Sequence, residues 1–326
     1  MSWQGKTVLI TGGTGFLGSA IVRRLANEGA SVRVAVRHPE KTHLLANATT
    51  ELFKADLGDA TSFRPALAGA DVVIHTAVSY GNHQQQLKTN VEGTTALARE
   101  STAAGVTRFV HVSSASAYGY RHTQPITEDT PQSPTNDPYA ITKLAGENAV
   151  KAQKNLSWTI IRPSAIYGPN SGLWTKTMFK LAMRRPFVFI GNGRGRAPLI
   201  FVEDVVDSCL LAATHENAHQ QTFHAIHSDI VTWREFLTAY AALAGRELRW
   251  FGIPTTPIAG ITWLLSKVAN KPSNPAAAHE LLYYLQSTPV YPMIKAQQLL
   301  NWQPKVDLKT GMEACAAYLR EQGLLT

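Results

Sequence analysis

The chain has 326 residues, 44% of them hydrophobic and 17% charged, with two cysteines, Cys209 and Cys315. That length suits one large α/β unit with a smaller appended region, and two distant cysteines exclude a disulfide framework or a cysteine zinc site. A reducing, cytoplasmic setting is expected: the N-terminal apolar run meets glycines too early for a signal peptide, and no apolar stretch approaches the roughly 20 residues of a membrane span.

The net charge of +8 is unevenly spread. From Asn148 to Val202 there is no Asp or Glu, while Lys151, Lys154, Arg162, Lys176, Lys180, Arg184, Arg185, Arg194 and Arg196 all carry positive charge. Such a stretch focuses anions, whether a phosphorylated cofactor, an anionic substrate or a lipid surface. The basic residues form no dense run and accompany no zinc-finger or RNA-recognition motif, so no nucleic-acid partner is expected.

In chain order, β-branched runs alternate with helical patterns. Strands are predicted at TVLIT (residues 7–11), SVRVAVR (31–37), LFKADL, ADVVIHTA, RFVHVSS and WTIIRP, with a helix over residues 16–29. This alternation predicts a doubly wound parallel sheet, Rossmann-like, and runs such as TVLI and VVIH suit strands buried on both faces. Residues 1–165 form the expected dinucleotide-binding domain, with 198–226 returning to it as a strand and helix. Residues 166–197 and 227–326 form a smaller, mainly helical substrate-binding region. The connection from Tyr120 to Pro138 carries four prolines and suits a lid or binding loop.

The first strand runs directly into Gly12, Gly13, Thr14, Gly15, Phe16, Leu17 and Gly18. Glycines at this spacing allow a tight turn, a close approach to pyrophosphate and close helix packing, with the pyrophosphate resting on the helix N-terminus. The second strand ends in Arg37 and His38, with Lys41 shortly after, where an NAD enzyme usually carries an acid. A guanidinium fork suits a 2′-phosphate, so NADP(H) is expected over NAD(H). Asp56, ending the third strand, is placed to accept from the adenine amino group or to start a turn.

Tyr139 and Lys143 stand four apart at the start of a predicted helix and share one face. A tyrosine with an ordinary pKa near 10 needs a neighbouring ammonium to act as an acid/base at neutral pH. His215 and His219, four apart on a predicted helix, lack a third ligand, so no metal is expected. His111 suits a buried, hydrogen-bonded role.

Together these motifs resemble the extended short-chain dehydrogenase/reductase superfamily, the NAD-dependent epimerase/dehydratase family, and in character its 3β-hydroxysteroid dehydrogenase-like and dihydroflavonol reductase-like members. TGGTGFLG, ADL at 55–57, IHTA at 74–77, NVEGT at 90–94, VSSASAYG at 112–119, YAITK at 139–143 and RPSAIYGP at 162–169 occur in the family's order across nearly the whole chain. The resemblance implies that Ser114 binds the reacting oxygen, Tyr139 transfers the proton, and Lys143 holds the nicotinamide ribose and lowers the tyrosine pKa. Asn90 takes the family's asparagine position, with a structural role equally open. Leu57, Thr76, Ala77, Ser113 and Pro163 join the cofactor set, and a homodimer through residues 83–104 and 138–154 is implied.

The sequence departs from the family at several points. Val78 stands where alanine is common, and Ala115 and Ser116 replace the acidic pair that dehydratases carry. Ala197 stands where nucleotide-sugar epimerases usually have an arginine, although Arg194 or Arg196 could substitute. The C-terminal run around WFGIPTTPIAGITWLLSKVAN is unusually apolar. It predicts a pocket wall for an apolar alcohol or ketone, with peripheral membrane contact through residues 258–268 as an extra. A nucleotide-sugar 4-epimerase is the alternative enzyme, and a non-catalytic dinucleotide sensor the alternative from another class.

Overall fold

The computed structural model describes residues 2–40, 42–45, 48–254 and 275–325. The central sheet is built from β1 (Thr7–Thr11), β2 (Ser31–Val36), β3 (Glu51–Lys54), β4 (Val72–His75), β5 (Arg108–Val112), β6 (Trp158–Pro163) and β10 (Gln221–Ala225). Its order is β10-β6-β5-β4-β1-β2-β3, and all neighbouring strands pair in parallel. Two further parallel pairs lie outside it: β7 (Ala165–Tyr167) with β9 (Leu199–Phe201), and β8 (Phe187–Ile190) with β11 (Trp250–Ile253).

The helices are α1 (Phe16–Asn27), α2 (Arg64–Leu67), α3 (His83–Gln86), α4 (Thr94–Ala103), α5 (Pro138–Lys151), α6 (Met178–Ala182), α7 (Val202–Thr214), α8 (Trp233–Leu243), α9 (Pro275–Gln286), α10 (Ile294–Leu300) and α11 (Leu308–Glu321). A wider π-helical stretch, Leu87–Gly93, joins α3 to α4.

Val8, Leu9 and Ile10 are all fully buried. Alternation sends Val8 and Ile10 to a core shared with α1, α7 and α8, and Leu9 to a second core with Leu97, Ala98 and Val150. Two covered faces explain why the strand is continuously apolar. Arg24 on α1 bridges to Glu203 (2.8 Å) and Asp207 (2.6 Å) on α7, locking the two helices on that face. α5, on the other face, is anchored by a buried fork: Arg162 on β6 donates from Nε to Glu147 Oε1 (2.9 Å) and from Nη2 to Oε2 (2.6 Å).

Some local expectations are corrected. LIF at 199–201 does not enter the main sheet; it pairs with β7, and the strand that returns to the sheet edge is β10. His215 closes α7 as its C-cap and His219 lies past a short 3-10 turn bonded to Ser157, so the two do not share a helix face. No cluster of three His, Cys, Asp or Glu suited to a metal occurs among the described residues.

Candidate active site

In this topology the chain leaves β1 toward β2 on one side and returns to β4 on the other, so the C-terminal ends of β1 and β4 flank a crevice. That crevice is part of a cavity of about 1030 Å³. Gly12, Thr14, Gly15, Phe16, Leu17, Gly18, Arg37, Asp56, Leu57, Thr76, Ala77, Ser113, Ser114, Tyr139, Lys143 and Pro163 all line it.

The glycines are demanded by geometry. Gly12 has φ +72°, and a Cβ there would stand 2.7 Å from the Ala77 nitrogen; a Cβ on Gly18 would run into the Gly12 carbonyl. The turn therefore holds α1 tightly against β1 and β4. Gly15 caps α1 with no side-chain hydrogen bond and no acid in the first turn, so its N–H groups and dipole remain open to an anion. These features fit a dinucleotide pyrophosphate.

At the end of β2, Arg37 is exposed, lines the cavity and makes no ion pair among the described residues. His38 does not line the cavity; its Nδ1 lies 3.2 Å from Glu40. Lys41 lies outside the described residues. Asp56 accepts from the Gly58 nitrogen through Oδ1 at 2.7 Å, so its carboxylate makes a turn while also lining the cavity.

Across the crevice, Asp137 caps α5 by accepting from the Tyr139 nitrogen (3.0 Å), and the next turns present Tyr139 and Lys143. Lys143 is buried, donating from Nζ to the Val112 carbonyl at 2.7 Å. Burial lowers its pKa from 10.5 to about 8, opposed by Glu147 one turn on. Ser114, two residues past β5, is extended and caps a short 3-10 turn, and its Oγ accepts from both the Ser116 nitrogen (3.1 Å) and Ser116 Oγ (2.9 Å). With its lone pairs engaged, the Ser114 hydroxyl keeps its proton for an acceptor in the cavity. The lowering of the Tyr139 pKa expected from Lys143 is not what the structure gives: burial and Tyr80 push the hydroxyl well above its ordinary range, and the Ser114 hydroxyl opposes this.

Asn90 does not line the cavity. On the π-helical stretch, its Oδ1 accepts from the Ser79 nitrogen (2.8 Å) and its Nδ2 donates to the Ser79 carbonyl (3.1 Å) and to Thr142 Oγ1 (3.2 Å). It ties the loop after β4 to α5. A Cβ on Gly146 would stand 2.5 Å from the Asn90 carbonyl, which is why α5 passes so closely there. His111 is buried as expected, but neither ring nitrogen has a hydrogen-bond partner among the described residues; its ring stacks on His75 at 5.2 Å. His75 spans Thr11 (2.6 Å) and Thr94 (2.9 Å), and burial lowers its pKa to about 3.

The far end of the cavity contains residues with no marked motif. Tyr80 stacks on Tyr139 with ring centroids 5.0 Å apart, and Tyr120, Trp174, Tyr284 and Tyr291 add further walls. Tyr120 sits on the proline-rich connection noted in the sequence, its hydroxyl donating to Asp137 at 3.0 Å. Tyr284 comes from α9 and packs on Tyr120 and Trp233. Residues 258–268, expected as a pocket wall, lie outside the described residues.

Residues 8–225 match the model of the NAD-dependent epimerase/dehydratase family. The chain is 31% identical over 283 residues to a ceramide reductase of Caulobacter vibrioides, covering 85% of this chain and 84% of that one. It is 33% identical over 250 residues to sterol demethylase protein B of Methylococcus capsulatus (72% and 75% covered). To a UDP-glucose 4-epimerase of Mycolicibacterium smegmatis it is 28% identical over 341 residues (96% and 98%). Among solved structures, gox2253 superimposes with a TM-score of 0.85 at 24% identity, covering 99% of this chain and 100% of that one. MoeE5 in complex with UDP-glucose and NAD gives 0.77 at 22% (97% and 99%). With the matched region spanning most of the chain, this protein belongs to the NAD-dependent epimerase/dehydratase family and is an NAD(P)-dependent enzyme of the extended short-chain dehydrogenase/reductase type, acting on CH–OH groups.

Proposed function

We propose that the enzyme interconverts a hydroxyl and a ketone on a largely apolar small molecule, with NADP(H) as its preferred cofactor. One observation carries the substrate class: among the described residues, the only charged side chains lining the cavity are Arg37, Asp56 and Lys143, all assigned to the cofactor and the reacting centre. The remaining wall is Val78, Tyr80, Tyr120, Ile166, Leu173, Trp174, Tyr284 and Tyr291 with a few hydroxyls. A nucleotide sugar carries a diphosphate, which calls for cations that the described wall lacks. Arg194 and Arg196 do not line the cavity, and Arg196 borders a separate small hollow with His227 and Pro289. The likeness to a ceramide reductase and a sterol demethylase protein supports a lipid-like substrate.

The glycine turn and α1 hold the pyrophosphate, Arg37 the 2′-phosphate, and Lys143 the nicotinamide ribose. When bound, the nicotinamide supplies or accepts a hydride at the carbon bearing the reacting oxygen. Ser114 donates its O–H to that oxygen, and Tyr139 gives it a proton during reduction or takes one during oxidation. Asn90 positions the loop that carries Val78 and Tyr80. An intact Ser114, Tyr139 and Lys143 argues against a non-catalytic sensor. We also infer a cytoplasmic two-fold dimer through the helices at 83–103 and 138–151, where Leu87 and Ile141 stand 37% and 41% exposed.

The test is turnover on a panel of long-chain and sterol-like alcohols and ketones beside nucleotide sugars, with both cofactors, followed by absorbance of the reduced nicotinamide. Apolar ketones should turn over with NADPH and nucleotide sugars should not. Arg37→Ala should erase the NADPH preference, because each charge-assisted hydrogen bond is worth about 1.5–3 kcal/mol. Equal use of both cofactors by the wild type, or epimerisation of a nucleotide sugar, refutes the proposal.

A further inference from the structure

The small sheet of β8 and β11 is unusual because both of its faces are apolar. In register, Trp250 pairs with Phe187, Phe251 with Val188, Gly252 with Phe189 and Ile253 with Ile190. Phe187 and Phe189 turn toward the body: Phe189 is buried, and its ring meets those of Phe187 and Trp250 at 4.7 and 5.5 Å, while Trp250, on the same face, is 37% exposed and lies under the Arg234 guanidinium. Alternation therefore sends Val188, Ile190, Phe251 and Ile253 to the opposite face. Val188 is 40% and Phe251 47% exposed, and no described element covers them. A face of this kind is costly in water unless something takes it up.

Its surroundings say what. Because the two strands are parallel, the segments leading into them lie at one end. Arg184 and Arg185 precede β8, while Arg246 and Arg249 precede β11; the Arg249 carbonyl accepts from the Phe187 nitrogen at 2.8 Å and so pins the starts of the two strands together. Arg246 reaches back to Met183. All four arginines lie at the surface, and none makes an ion pair among the described residues. Alternation places Arg249 on the same face as Phe251 and Ile253. Glu247 is the one acid in these leading segments, so the rim is strongly cationic beside an apolar plate.

We propose that this face docks the enzyme on an anionic lipid surface, with Val188, Ile190, Phe251 and Ile253 entering the interface and Arg184, Arg185, Arg246 and Arg249 meeting the headgroups. Charge complementarity selects this occupant: apolar side chains alone would suit another protein, but a rim of arginines around them matches the layering of headgroup over acyl chain. The contact proposed is peripheral, and no described helix is long and apolar enough to cross a membrane. The inference stands on the surface alone and survives or fails apart from the substrate proposal.

The test is flotation of the full chain with vesicles of phosphatidylcholine alone and of phosphatidylcholine mixed with phosphatidylglycerol. The wild type should float with the mixed vesicles only, less so as salt rises. Arg184→Ala, Arg185→Ala and Arg249→Ala should each weaken binding roughly fivefold. Val188→Ser with Phe251→Ser should abolish it, while Val188→Leu with Phe251→Leu keeps it, and the circular dichroism spectrum and oligomeric state should be the same in all. Failure to float, equal flotation with neutral vesicles, or wild-type binding by the serine pair overturns the proposal. So does a serine pair that unfolds at lower temperature or changes oligomeric state, since the face would then belong to this chain or a second copy.

Discussion

Lys143 is an ammonium taken out of water, compensated by the Val112 carbonyl at 2.7 Å and by Glu147 one turn away. Burial lowers its pKa from 10.5 to about 8. At about 1.4 kcal/mol per tenfold change in proton affinity, holding this group protonated in the fold costs about 3 kcal/mol. Because the folded value lies below the unfolded one, the unfolded chain binds more protons between about pH 8 and 10.5, and this group's contribution to stability rises across that window. Lys143→Met removes the rise. The unfolding free energy of the wild type minus that of the variant, from urea titrations without nucleotide, should climb by about 3 kcal/mol between neutral pH and pH 10.5. Taking the difference cancels the titrating groups that do not feel Lys143; His75 and His111, whose charged forms Lys143 disfavours, are pushed below the ordinary histidine range and so titrate under this window. Near neutral pH, relief of the buried charge is offset by about 1–3 kcal/mol for an unpaired Val112 carbonyl, so the variant should be folded while losing activity. A pH-independent difference would refute the description of Lys143 as a desolvated cation.

Three further outcomes follow from the same geometry. Tyr139→Phe should lower kcat by roughly 10²–10⁴ while leaving nucleotide affinity, measured by fluorescence titration, nearly unchanged. Gly18→Ala, whose Cβ would run into the Gly12 carbonyl, should abolish the rise in Tm that nucleotide gives the wild type. Glu147→Ala strands the buried Arg162 guanidinium and should cost about 3–5 kcal/mol in chemical denaturation, whereas an exposed pair such as Lys6 with Asp71 should cost under about 1 kcal/mol.

The parallel sheet and the gathering of the glycine turn, Tyr139 and Lys143 at one cavity were legible because their geometry is local. A strand, a glycine turn and a helix occupy adjacent residues, and Tyr139 and Lys143 need only one helical turn to meet. The aromatic wall was not legible, because Tyr80, Tyr120, Trp174 and Tyr284 come from four separate segments with no spacing between them to notice. Asn90 carried a motif signal, but a motif cannot reveal that the side chain is committed to the Ser79 backbone. His38 shared the end of β2 with Arg37, and only the fold shows that it lies outside the cavity beside Glu40. The β7–β9 pairing escaped because a three-residue apolar run suits either sheet.

The largest core holds Val8 and Ile10 from the first strand together with Met312, Cys315 and Leu319 from α11. Asp204 reinforces the join, accepting from the Lys305 and Val306 nitrogens at 2.9 and 3.1 Å. During synthesis, at about 5–20 residues per second, the nucleotide-binding half therefore emerges long before the side chains that finish its interior. For that interval the apolar side of β1, α1 and α7 is incompletely covered, and the nascent chain is open to chaperone capture. Native burial is completed only once α11 has emerged, so a chain truncated before α11 would be an incomplete fold even though the glycine turn, Tyr139 and Lys143 are all present.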